Sequence, residues 1–236
     1  MATDESLYVR RFSVAERTIH WVHVGAFAGL LATGIALYLP ALAGALGSRQ
    51  ALKAIHLAIA SGWAAVLLAI VASSDRAALR RTALEVERFD ADDLLWLRRR
   101  PAPQGRFNAG QKLHAVAQAA FAALFVISGL LLLLGEGDTR LRLPGTIILH
   151  DGLTVLASGL VAVHVFLAVV WPTTRPALRG MVRGSVRRDW AAAHHAKWLR
   201  APAEHPDGAP QWRSAMTWAL IAGAVGLAAL SLSALG

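Results

Sequence analysis

The chain has 236 residues, 56% of them hydrophobic and 17% charged, with a mean hydropathy of +0.46, a formal net charge of +9 and no cysteine. Ordinary soluble domains carry about 25% charged residues, so this composition is too apolar for a soluble enzyme and too charged for a chain lying wholly in a membrane. The absence of cysteine excludes a disulfide, a thiolate zinc site, an iron–sulfur cluster ligated by this chain and a covalent c-type haem. The nine histidines are left as the main candidates for metal chemistry.

Five apolar runs follow in chain order, at about 19–39, 52–73, 113–134, 146–171 and 214–235. Each reaches the ~20 residues that cross a ~30 Å hydrocarbon layer as a helix. In lipid the backbone must satisfy its own polar groups, which selects helices over open strands. The expected fold is therefore all-α, a transmembrane four-helix bundle with an additional fifth C-terminal transmembrane helix. The expected division is a membrane domain at 1–200, a Pro-rich linker at 201–213 and the extra helix at 214–235.

The basic residues are placed unevenly around these runs. Of the 24 Lys and Arg, 20 fall in the N-terminal tail, the loop at 74–112 and the stretch at 172–213; the loops on the other side carry Arg49, Lys53, Arg140 and Arg142. The positive-inside rule places the richer segments in the cytoplasm. The N-terminus is then cytoplasmic, the C-terminus lies outside, and the protein is expected to be a multi-pass protein of a bacterial inner membrane. The charge is thus accounted for by topology and anionic lipid rather than nucleic acid. The loop at 74–112 is expected to hold a short surface helix around Leu94–Leu97, then a turn at Pro101–Gly105. No internal repeat of fixed period is evident.

Four histidines lie within or at the ends of the apolar runs: His20, His56, His150 and His164. Ionisable residues at membrane depth are costly and mark function. His150 and His164 are 14 residues apart on one predicted helix, which returns them to within about 40° of one face, roughly 21 Å apart. Span polarity puts His20 and His164 near the cytoplasmic face and His56 and His150 near the outer face. Two facing imidazoles at each depth match bis-histidine ligation of a b-type haem. Gly25, Gly29, Gly34, Gly62, Gly152 and Gly159 leave room for a macrocycle or for close helix contact. His23, one turn from His20, is an alternative ligand. His114 reads as an interface or site-lining residue. His194, His195 and His205 read as solvated or interfacial, with a zinc site at His194–His195 as an alternative.

The motifs RFSVAERTIHW, KAIHLAIA, GRFNAGQK, ILHDGLTVLASGLVAVHVFLAVVW and MVRGSVRRDWAAAHHAKW, over residues 8–200, resemble the gamma subunit of membrane-bound respiratory formate dehydrogenase. That family is a di-haem cytochrome b, related to the cytochrome b subunits of nickel–iron hydrogenases. The resemblance implies two haem b groups, held by His20 with His164 on the cytoplasmic side and by His56 with His150 on the outer side. It also implies a site for menaquinone or ubiquinone near Asn108, Ala109, Gly110 and Gln111, although Asn108 equally suits a helix cap. The implied partners are an iron–sulfur subunit and a catalytic dehydrogenase subunit. The implied function is electron delivery to membrane quinone, with the substrate oxidised elsewhere. The alternatives are a hydrogenase or another molybdenum oxidoreductase and, from a different class, a non-redox transporter or anchor. Two departures from the family stand out. The fifth apolar run is expected to replace a membrane anchor that a partner supplies in that family, and Asp151 adjoins the outer ligand His150.

Overall fold

The computed structural model describes residues 7–73, 76–141, 143 and 145–200. The expected linker at 201–213 and fifth helix at 214–235, with His205, lie outside the described residues. The chain divides into two compact units. One is Val14–Leu79; the other joins the N-terminal segment through Ser13 to the chain from Arg80 onward.

The unit Val14–Leu79 is a helical hairpin. Helix α1 (Val14–Tyr38) and helix α3 (Arg49–Ser73) pack along each other, joined by the short helix α2 (Pro40–Ala45). Proline stands at the first position of α2, where its missing N–H costs nothing. Ser48 Oγ accepts from the amide of Ala51 at 3.1 Å, capping α3. The Arg49 guanidinium donates to the Leu37 carbonyl, one of the C-terminal acceptors of α1 that lack a helical partner. Ala36, Ala43 and Leu52 form a small buried cluster at this end. The helices approach closely at Gly29, where a Cβ would stand 3.1 Å from Ile59 Cδ1.

The second unit is built on helix α6 (Ala109–Gly137) and helix α7 (Gly145–Val165), also packed against each other. Helix α7 runs into a π-turn at Phe166–Val170, where the Trp171 amide reaches back to the Phe166 carbonyl at 3.0 Å. Pro172 follows and stops the run. The four long helices are long and apolar enough to cross a membrane. Side chains such as Ile148 and Val155 stay 75% and 73% exposed, so lipid is their solvent.

The polar remainder of this unit packs more tightly than the spans. The loop segment expected to hold one short helix holds α4 (Arg76–Glu87) and α5 (Ala91–Leu97). Downstream lie α8 (Leu178–Arg183), α9 (Arg188–His194) and α10 (Ala196–Arg200). The all-α expectation needs one correction: β1 (Tyr8–Arg10) pairs antiparallel with β2 (Ser185–Arg187), Val9 opposite Val186. A strand of three residues is too short for alternation to reveal it. The helix starts also lie earlier than the apolar runs suggest, because polar first turns such as Val14–Arg17 and Ala109–Lys112 carry no hydropathy signal.

Candidate functional site

In the hairpin Val14–Leu79, His20 and His23 lie on α1 and His56 on α3. His56 Nδ1 is 2.7 Å from Thr33 Oγ1 of α1. The Thr33 hydroxyl already donates to the Gly29 carbonyl, one turn earlier, at 2.8 Å. With that proton directed to Gly29, the Thr33 oxygen is placed to accept from the Nδ1–H of His56. The His23 ring lies 5.7 Å from Trp63, tilted by 54°, and the His20 ring meets Trp21 edge-on at 5.2 Å.

The second unit repeats the arrangement at His150 on α7. Its Nδ1 is 2.9 Å from Ser128 Oγ of α6, and Ser128 donates to the Leu124 carbonyl at 2.7 Å. The Ser128 oxygen is likewise placed to accept from the His150 Nδ1–H, and Phe125 stands edge-on to the ring at 5.2 Å. His164 lies on the same helix as His150 and stacks on His114 of α6, centroids 4.6 Å apart and planes 16° from parallel. Thr33, Ser128 and the His114 stack are missing from the sequence reading. The available signal was a hydroxyl residue followed by glycine within an apolar run, Thr33–Gly34 and Ser128–Gly129.

The residues of GRFNAGQK are placed together at the start of α6. Asn108 Oδ1 accepts from the Gln111 amide at 2.9 Å and Gln111 Oε1 from the Asn108 amide at 3.1 Å, a reciprocal capping box. Gly110 lets Trp96 approach closely: its Cη2 would lie 3.0 Å from a Cβ. Lys112 pairs with Asp93 at 2.6 Å, both side chains nearly buried, and also donates to the Arg88 carbonyl. Asp93 belongs to a second capping box, with Asp90, at the start of α5. Lys197 bridges Asp90 and Asp92, holding the Asp90 carboxyl below its ordinary range chiefly through their hydrogen bond.

Beside this cap, Arg11 and Arg106 each donate to the other's carbonyl, at 2.7 and 2.9 Å. Arg106 also pairs with Glu85 and binds Thr82. Arg11 reaches His195 Nε2 at 3.2 Å, while His195 Nδ1 donates to the Gly105 carbonyl at 2.7 Å. The expectation that His195 is solvated or interfacial is thus corrected: it is 1% exposed. Burial and then the Arg11 charge push its imidazole down to about 3, so it is neutral. Burial, with Arg106 nearby, lowers Arg11 to about 9, still cationic at neutral pH. Both nitrogens of His195 are engaged, which removes it from the alternative zinc site. No group of three metal-ligating side chains occurs among the described residues.

Four membrane-capable helices carrying imidazoles, two of them set against hydroxyls of the neighbouring helix, define a multi-pass membrane protein suited to holding haem. The model of the prokaryotic cytochrome b561 family matches residues 11–184, and the chain belongs to that family. It is thus a membrane cytochrome b, a haem b protein of electron transfer. Among its relatives is the cytochrome b556 subunit of the nitrate-inducible formate dehydrogenase of Escherichia coli K12, 25% identical over 101 residues. That alignment covers 42% of this chain and 46% of the relative, so the chain spans about half the length of that protein. A second formate dehydrogenase cytochrome b556 subunit of the same strain is 22% identical over 204 residues, 80% of this chain and 91% of the relative. The corresponding subunit of Haemophilus influenzae is 25% identical over 198 residues, 80% and 82%. The resemblance to formate dehydrogenase gamma subunits is borne out.

Proposed function

We propose that this chain is the membrane-anchoring, di-haem cytochrome b subunit of a formate dehydrogenase complex, passing electrons from an iron–sulfur subunit to membrane quinone. The observation that carries the reading is the hydroxyl oxygen of a neighbouring helix set against Nδ1 of His56 and of His150. Haem iron needs a neutral imidazole with a free-standing lone pair on the ligating nitrogen, usually with the other N–H hydrogen-bonded. In both histidines Nδ1 is set against a hydroxyl oxygen of the neighbouring helix, an arrangement that suits that form. Gly34 and Gly129 lie beside the rings: a Cβ at either would stand 3.7 Å from the imidazole Cε1, in ordinary van der Waals contact. The donor set fits haem b.

In this reading His56 and His150 ligate the outer haem, and His20 and His164 the cytoplasmic-side haem. A bound haem b supplies one-electron chemistry. The chain's residues hold the imidazoles in one tautomer and orientation and surround them with apolar side chains. The oxygens of Asn108 and Gln111 are committed to the cap, so their amide N–H groups are the donors assigned to a quinone carbonyl. Gly110 lets Trp96 close against the same helix start.

In this reading the chain lies in a bacterial inner membrane, and the uneven placement of charge supports a cytoplasmic N-terminus. In this reading residues 1–200 form the cytochrome domain, and the apolar run at 214–235, outside the described residues, takes the place of a partner's anchor. A complex that assembles fully after deletion of 208–236 would oppose that last role. Nickel–iron hydrogenase or another molybdenum enzyme remains the second reading for the partner, decided by which subunits co-purify.

The central test is haem content. Replacing His56 or His150 with Ala should remove one of two b-type haems, read from the pyridine haemochrome and the reduced visible spectrum. Replacing His20 or His164 should remove the other. Retention of both haems in these variants would overturn the ligand assignment. A chain without b-type absorption after reduction would restore the non-redox reading.

A further inference from the structure

The two helix hairpins contain one device twice. In each, a hydroxyl residue followed by glycine sits on the first long helix, and a histidine lies opposite on the second. Thr33 serves His56, 23 residues on; Ser128 serves His150, 22 residues on. Each hydroxyl spends its proton on a carbonyl one turn earlier, Gly29 or Leu124. A hydroxyl bonded back to its own helix is common in membrane helices and needs no function. Here, however, the back-bond has a specific consequence: it turns the oxygen into an obligate acceptor facing Nδ1. While the hydroxyl proton is held by that carbonyl, the bond the pair makes is Nδ1–H to oxygen.

We infer that Thr33 and Ser128 are positioning residues that fix the tautomer of His56 and His150 and, by strengthening both as donors, hold down the reduction potential of the haem these two histidines ligate. The inference rests on the ligand reading given above. A hydrogen bond accepted from Nδ1–H shifts electron density onto Nε2 and makes it a better base. A more basic axial nitrogen favours ferric over ferrous iron, because the oxidised metal carries the extra positive charge. Each hydroxyl acts on the histidine of its own hairpin. His164 is held differently, against the His114 ring. The two haems are therefore tuned by different means, a difference that tends to separate their potentials.

The test is potentiometric titration of the purified complex carrying Thr33→Val, Ser128→Ala or both, followed in the visible spectrum, with electron paramagnetic resonance of the oxidised haems. One haem should titrate at a higher potential in each single variant and higher still in the double, with a shifted low-spin signal. The other haem should stay where it is. Thr33→Ser and Ser128→Thr keep the acceptor and should restore the original values.

His56→Ala and His150→Ala separate the inference from the reading beneath it. If those variants keep both haems, the ligand reading has failed. If they lose one haem while Thr33→Val and Ser128→Ala leave both potentials and spectra unchanged, the inference alone is overturned. Should Thr33→Val lose haem while Thr33→Ser retains it, with unchanged helical circular dichroism, the hydroxyl is required and the inference stands. Loss of haem in Thr33→Val and Thr33→Ser alike would show a packing role and overturn it.

Discussion

His195 lies almost without solvent contact between a guanidinium that donates to it and a carbonyl that accepts from it. Both bonds require the neutral ring. An unfolded histidine gains its proton as pH falls through its ordinary value of 6.5, and the folded one only near 3. Between those values the unfolded state binds more protons, so the folded state loses stability as pH falls, by up to about 1.4 kcal/mol per pH unit. Above 6.5 both states are neutral and the effect vanishes. Thermal unfolding of the detergent-solubilised protein should therefore fall more steeply between pH 7 and pH 5 than that of His195→Gln. Parallel slopes for the two would refute the assignment. In the sequence His195 is one of an adjacent pair outside the spans, with nothing to distinguish it from a surface residue. Its partners Arg11 and Gly105 are 184 and 90 residues away, so only folding selects it.

At the scale of elements, the segment from α4 to the start of α6 shows most clearly what a motif means once folded. GRFNAGQK stands out as a pattern, and its residues indeed converge. Most of that convergence is structural: a capping box, a glycine beneath an indole and a nearly buried Lys112–Asp93 pair. Removing one partner of a buried pair typically costs 3–5 kcal/mol, because the other charge is left without compensation. Asp93→Ala should accordingly lower thermal stability strongly, and the double variant Asp93→Ala with Lys112→Met should recover much of it. Similarly, Gly110→Val should displace Trp96, and Trp96→Ala in the same chain should relieve the clash, read by tryptophan fluorescence and melting temperature. The spans themselves were legible as elements, since length and apolarity alone dictate a helix in lipid. Their polar first turns, the short α2 and the β1–β2 ribbon were not. Each is too short or too polar to impose a period on the sequence.

For the whole molecule, the unequal split of basic residues makes a prediction about sidedness. The chain has no cysteine, so single cysteines can be introduced without a prior cysteine-free background. Gln50, Glu87, Thr139 and Arg183 are all exposed. With the N-terminus in the cytoplasm, an impermeant maleimide applied to spheroplasts should label Gln50→Cys and Thr139→Cys. Glu87→Cys and Arg183→Cys should react only after permeabilisation. The reverse pattern would invert the topology and with it the depth assigned to each histidine.

The class of this protein was written in its composition. Lipid imposes so strong a rule on the backbone that apolar length suffices to locate four helices, and the missing cysteines leave redox chemistry to histidine. Spacing along one helix could also single out His150 and His164, because a helix is a local structure with a fixed rise and turn. The tertiary structure decided what each polar group does. Thr33 and Ser128 come to face imidazoles, and His195 becomes a buried neutral bridge. These roles depend on hydrogen bonds between residues distant in the chain, where donor and acceptor are matched only by the packing of one helix against another.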